Sequence, residues 1–171
     1  MLTPYVMKWI VLSYMTNAPN SHINMAIEAE DRYGYVSAMQ LLAQAERESR
    51  YQPDVYNGLR RDGRRIRSRV GRPARLRGPY FCGSTQLRAP TMRECIMITR
   101  DLRAQYHGAA AHLGEWLSYC RTKGRPGMNC AIRGYAGGGR GTVVKGKAWK
   151  YARKIEKMVG SGWSGAAGSS R

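Results

Sequence analysis

The chain has 171 residues, 43% of them hydrophobic, which is enough for one compact core and does not require two. Its 29 Lys and Arg against 11 Asp and Glu leave a formal charge of +18. Such a field draws a surface towards polyanions, whether nucleic acid, anionic lipid headgroups or the acidic bacterial wall, without choosing among them. Four cysteines with no C-x-x-C spacing and three histidines that do not fall in a metal-ligand pattern lead us to expect no metal and no cofactor.

Residues 1–20 read as an N-terminal arm. The run from Met1 to Met15 is apolar, but Lys8 interrupts it, no basic region precedes it and no small-residue cleavage site follows, so no signal peptide is expected. The run is also too short to span a bilayer. From Ser21 to Arg50 helix formers dominate, broken by Gly34, and two helices are predicted to meet there. The second places Val36, Met39, Leu42, Ala43 and Ala45 at near-helical spacing, and Pro53 stops it.

Between residues 58 and 78 the character changes to arginine, glycine and proline, with Arg60, Arg61, Arg64, Arg65, Arg67 and Arg69 in close succession. This segment cannot build core. A solvated loop and a loop that grips a polyanion both fit it.

Thr91 and Glu94 have the spacing of a capping box, so a helix is predicted from there to about Tyr106. A further helix from Ala109 to Cys120 carries Leu113, Trp116, Leu117 and Cys120 on one face. A short helix from Ala131 to Tyr135 ends in glycines, and a last helix runs from Lys147 to about Val159. Cys120 and Cys130 flank a turn-rich segment, which leaves a disulfide there and four buried free thiols equally open. Residues 160–171 have the composition of a flexible tail. No strand-like alternation or internal repeat stands out, so the fold class expected is mainly α. No basic helix shows a wide apolar face of its own, so no stable membrane insertion is expected.

A carboxyl can act as a general acid near neutrality only in a poorly solvated site. A glutamate at the open end of a buried helix suits the task. Glu46 and Glu48 both qualify. They lie about 200° apart around a helix, so only one can face a given cleft, and periodicity does not choose between them.

Arg32-Tyr33-Gly34-Tyr35, then Leu41-Leu42-Ala43, then Glu48-Ser49-Arg50-Tyr51-Gln52-Pro53 resembles the soluble lytic transglycosylase family of the lysozyme-like superfamily. Further segments follow in family order. Gly83-Ser84-Thr85-Gln86-Leu87 is similar to the glycine-to-glutamine motif lining the sugar cleft, and Ala89-Pro90-Thr91 to the helix start after it. Tyr135-Ala136-Gly137-Gly138 is similar to the tyrosine-glycine motif, and Tyr151 to Ile155 to the closing helix.

The resemblance implies a single lysozyme-like domain over residues 21–159, with the 58–78 segment as a basic loop insertion. It also implies an enzyme that cleaves the MurNAc-GlcNAc bond of peptidoglycan glycan strands. Glu48 would be the single acid and base, Ser49 its neighbour, Gln86 a hydrogen-bonding group near it, and Tyr135 a support for the glutamate or the sugar ring. Two positions depart from the pattern: the interval from Glu48 to Gln86 is lengthened by the arginine segment, and Ala136 stands where the family has asparagine. Hydrolysis would call for a second carboxylate, for which the following loop offers Asp54 and Asp62. The size, the charge and the lack of an export signal favour a phage setting, in the virion or at lysis, with action in the host periplasm or wall. The rival expectation is a non-enzymatic basic virion protein that contacts DNA or other virion proteins.

Overall fold

The computed structural model describes residues 2–56, 59–60 and 80–160. Among them the chain forms α1 (Pro4–Met15), α2 (Asn20–Tyr33), α3 (Ala38–Ser49), β1 (Val55–Tyr56), β2 (Leu59–Arg60), β3 (Tyr80–Cys82), β4 (Leu87–Ala89), α4 (Met92–Arg100), α5 (Leu102–Thr122), α6 (Met128–Gly141) and α7 (Lys147–Gly160). The protein is mainly α, as its sequence predicts. The chain forms two compact units, residues 1–43 with 110–171, and residues 44–109.

In the first unit the segment read as an arm contains a helix. Thr3 caps α1, its Oγ1 accepting from Val6 N at 3.3 Å, and Pro4 occupies a first-turn position where no backbone donor is needed. Leu12 is the buried residue of α1, while Tyr5 Oη donates to Asn24 Oδ1 on α2 and Lys8 Nζ lies 3.3 Å from Glu30 and 3.4 Å from Asp31. Gly34 ends α2 in the left-handed region, with its N–H on the Glu30 carbonyl, where the sequence places the break. Glu30 then reaches forward, its Oε2 accepting from Ala38 N at 2.8 Å in the first turn of α3. One carboxylate thus pairs with α1 and satisfies an unpaired donor of α3.

The helix predicted to end at Tyr135 runs on to Gly141 as α6, broken at Gly138, where φ is 62°. A Cβ on Gly137 would lie 2.9 Å from that of Ala148, so small residues let α6 and α7 approach closely. A disulfide joins Cys120 at the end of α5 to Cys130 in α6.

The second unit holds an antiparallel sheet in the order β2-β1-β3-β4. Its paired strands β3 and β4 alternate buried, exposed, buried, too briefly at three residues each to register as a periodicity in the sequence. Tyr80, Cys82, Ala89 and Cys95 form a buried cluster with Met92 and Ile98 against it. A second disulfide, Cys82 to Cys95, passes through that cluster.

The capping box is present, Thr91 Oγ1 accepting from Glu94 N and Glu94 Oε2 from Thr91 N. The helix it starts ends at Arg100 and not near Tyr106. Asp101 terminates α4, and its Oδ1 accepts from Ala104 N at 2.9 Å to cap α5. α5 then runs unbroken through Gly108. That glycine serves packing, because a Cβ there would lie 2.6 Å from Leu87 Cδ1.

His22 is buried in α2, and loss of hydration lowers its pKa from 6.5 to about 4. The unfolded chain takes up this proton more readily than the fold. Stability is therefore complete above pH 6.5 and falls as pH drops from there towards 4, by at most about 1.4 kcal/mol per unit. Urea midpoints at neutral and mildly acidic pH should show a slope that His22→Gln reduces; an unchanged slope would refute the assignment. Removal of either disulfide by serine substitution is expected to lower the free energy of unfolding by about 2–4 kcal/mol, read from the same melts.

Candidate active site

α3 carries the candidate acid in its last turn. Leu41, Leu42, Ala43 and Ala45 are fully buried, whereas Glu46, Arg47 and Glu48 are half-buried. Glu46 lies on the side of Tyr51: burial first, and the Glu46 carboxylate second, raise the Tyr51 phenol well above its ordinary pKa. Glu48, roughly 200° further round the helix, is on another face.

Ser49, fully buried, organises the helix end. Its Oγ lies 3.1 Å from the Ala45 carbonyl and 2.8 Å from the Ser84 carbonyl, to both of which it is aimed as donor, and it accepts from Gln52 N at 3.1 Å. Immediately after it the chain turns through two left-handed residues, Arg50 (φ 56°) and Tyr51 (φ 63°). Arg50 N bonds the Glu46 carbonyl at 3.0 Å and Tyr51 N the Ala45 carbonyl at 3.4 Å, closing the helix. Tyr51 is itself buried.

The segment that Ser49 reaches is the turn joining β3 to β4. Gly83 (φ 75°) opens it, and Gln86 (φ 53°) closes it with both its backbone N–H and its side-chain Nε2 on the Gly83 carbonyl, at 3.1 and 2.8 Å. Arg50, Tyr51 and Gln86 are the non-glycine residues with positive φ among those described, and all three stand at this junction. Such residues cost on the order of 1–3 kcal/mol each and persist where surrounding bonds over-determine them.

Those bonds converge on Gln105, a residue that sequence reasoning missed. Its Oε1 accepts from Ser84 N at 2.6 Å and Ser84 Oγ at 2.7 Å; its Nε2 faces the carbonyls of Ile98 at 2.9 Å and Pro53 at 3.3 Å; and its backbone carbonyl accepts from Thr85 Oγ1 at 3.0 Å. Ser49, Ser84, Thr85 and Gln105 are all without solvent exposure. A Cβ on Gly83 would fall 2.5 Å from Gln105 Cδ, so glycine is required there for space as well as for its backbone angle. In the sequence Gln105 is one polar residue inside a helical stretch, and no spacing marks it.

Glu48, Ser49 and Gln86 thus belong to one unit, and Ser49 ties the end of the Glu48 helix to the turn that Gln86 closes. Tyr135 belongs to the first unit, on α6, edge-on to His112 with ring centroids 5.1 Å apart. His112 is itself fixed there, Nδ1 2.9 Å from Glu115 Oε2 and Nε2 accepting from Trp116 Nε1 at 3.1 Å. Ala136 is exposed. Asp54 is half-buried in the loop after α3. Arg60 lies on β2, while Arg61, Arg64, Arg65, Arg67 and Arg69, together with Asp62, lie outside the described residues. No group of His, Cys, Asp and Glu among the described residues could hold a metal ion.

Gln105→Ala would leave the Ser84 donors and the facing carbonyls buried without partners, at about 1–3 kcal/mol for each group left unpaired. A loss of at least about 3 kcal/mol in unfolding free energy is expected, and a loss under about 1 kcal/mol would show that the network does not hold the junction. Comparison of the chain with family models, with curated proteins and with solved structures finds no match.

Proposed function

We propose that the protein is a lytic transglycosylase that cleaves the MurNAc-GlcNAc β-linkage of peptidoglycan glycan strands, with Glu48 as its single general acid and base. The observation that supports this most directly is the placement of Glu48. It stands half-buried at the end of α3, beside a serine bonded to the 83–86 turn and ahead of two strained residues. Strain that is over-determined by buried hydrogen bonds is a mark of sites where a geometry is held for function. The motifs brought together are those in which the chain resembles the family, Glu48-Ser49 and Gly83 to Gln86.

In the proposed step Glu48 gives its proton to the glycosidic oxygen as the bond to the muramic C1 breaks. The carboxylate then takes the proton from the C6 hydroxyl of the same muramic residue, whose oxygen closes on C1 to give an anhydro ring without water. Gln86, with its amide engaged in its own turn, shapes the backbone beside the acid. Tyr135 is not required for either proton transfer. The +18 charge would hold the enzyme on an acidic wall, and the setting proposed is a phage virion or lysis enzyme acting in the host periplasm.

The same charge favours one other reading, a basic virion protein that contacts DNA. Salt-dependent duplex binding without glycan cleavage would support it.

Digestion of purified peptidoglycan followed by mass spectrometry should give anhydromuramyl ends, and Glu48→Gln should lower the rate by about 10²–10⁴-fold. Reducing ends would instead mean hydrolysis, with Asp54 the first residue to test. Absence of cleavage by the wild-type protein would sink the enzyme reading.

A further inference from the structure

α1 meets α2 with one side only. Leu12 is buried on that side, and the single charge of the helix, Lys8, is engaged there by Glu30 and Asp31. At about 100° per residue, Val6, Met7, Ile10, Val11 and Tyr14 fall on an arc of roughly 140° on the other side. All five are exposed, Met7 by 50% and Tyr14 by 86%, and Leu2 just ahead of the helix adds another exposed apolar side chain. No charged residue interrupts the arc. Contiguous exposed apolar side chains of this kind mark a surface that a partner or a membrane covers.

The charge of the chain selects what. A second copy would bring another +18 against the first, which opposes pairing through this face, whereas an anionic lipid surface is attracted by the same charge. The helix has 12 residues. That gives it a length of about 18 Å, short of the roughly 30 Å hydrocarbon layer, so it can lie in a bilayer surface and cannot cross it. No helix among the described residues is long and apolar enough to cross a membrane. Tyr14, on the exposed arc, supplies an amphipathic ring of the kind that favours the headgroup level. We propose that α1 binds the surface of anionic bilayers, its Val6-Met7-Ile10-Val11-Tyr14 face embedded in the interfacial layer while Lys8 remains paired to α2. This proposal does not depend on the role of Glu48.

The test uses the full chain and vesicles of phosphatidylcholine with and without phosphatidylglycerol, in a co-sedimentation assay at physiological salt. Binding to the anionic vesicles is expected, and the triple variant Met7→Gln, Val11→Gln, Tyr14→Gln should bind them at least about tenfold more weakly. Its circular dichroism, urea midpoint and affinity for heparin should stay at wild-type values, which separates a lost apolar contact from lost folding or lost charge. Three results would overturn the proposal. One is wild-type protein that ignores the vesicles. The second is a variant that binds as wild type, which would mean attraction by charge alone. The third is a wild-type dimer in sedimentation equilibrium that the variant dissolves, which would assign the face to a second copy.

Discussion

The side chain of Gln105 meets three segments that are far apart in sequence: the 83–86 turn through Ser84, the end of α4 through Ile98, and the loop after α3 through Pro53. Burial of an amide is unfavourable unless its polar atoms are paired, and here the arrangement leaves both ends of the carboxamide engaged. Ser84, so fixed, turns its carbonyl to Ser49, and Ser49 in turn anchors Gln52. The direction in which the last turn of α3 presents Glu48 is set by this chain of bonds as well as by the helix. The left-handed backbone at Arg50 and Tyr51 is then intelligible: α3 must stop abruptly after Ser49, and the turn that stops it is held by partners on both sides.

In the second unit Tyr80, Cys82, Ala89 and Cys95 cluster with Met92 and Ile98, and the strands β3 and β4 that contribute to this cluster are three residues long. Cross-linking adds to burial there, since the Cys82 to Cys95 bond joins β3 to α4 inside that cluster. Disulfides form and persist in oxidising surroundings. Both bonds therefore fit a protein whose proposed substrate lies outside the reducing cytoplasm.

Local signals were legible in the sequence. Gly34 ends α2 because only the backbone nearby decides it, and the Thr91 capping box is satisfied within four residues. Signals that depend on distant partners were not. Gly108 looks like a helix breaker until Leu87 is seen beside it, and the true break at Asp101 rests on a side-chain cap with no apolar period to announce it. The sequence left a disulfide at Cys120 open and gave no hint of the bond between Cys82 and Cys95, whose partners meet only once β3 and α4 are packed. At the candidate site, the order of short motifs pointed to Glu48 and to residues 83–86, and the Ser49 to Ser84 bond brings those segments together. Gln105 stayed invisible, because its role consists wholly of contacts across the fold.

The apolar run of α1 was plain in the sequence, but which side of it α2 leaves open was not. A membrane-binding helix is usually sought as one element with an apolar face and a basic face, and α1 carries one charge, already neutralised by α2. Here the two requirements are separated: the strip for burial is on α1, and the charge that draws it towards an anionic surface is spread over the rest of the chain, as on the exposed Lys150, Arg153, Lys154 and Lys157 of α7. Charge acts over about a Debye length and apolar contact only at touching distance, so the first can gather the protein at a membrane and the second can retain it. A glycan-cutting acid on a chain retained in this way would search the layer beside the bilayer and not the full depth of the wall.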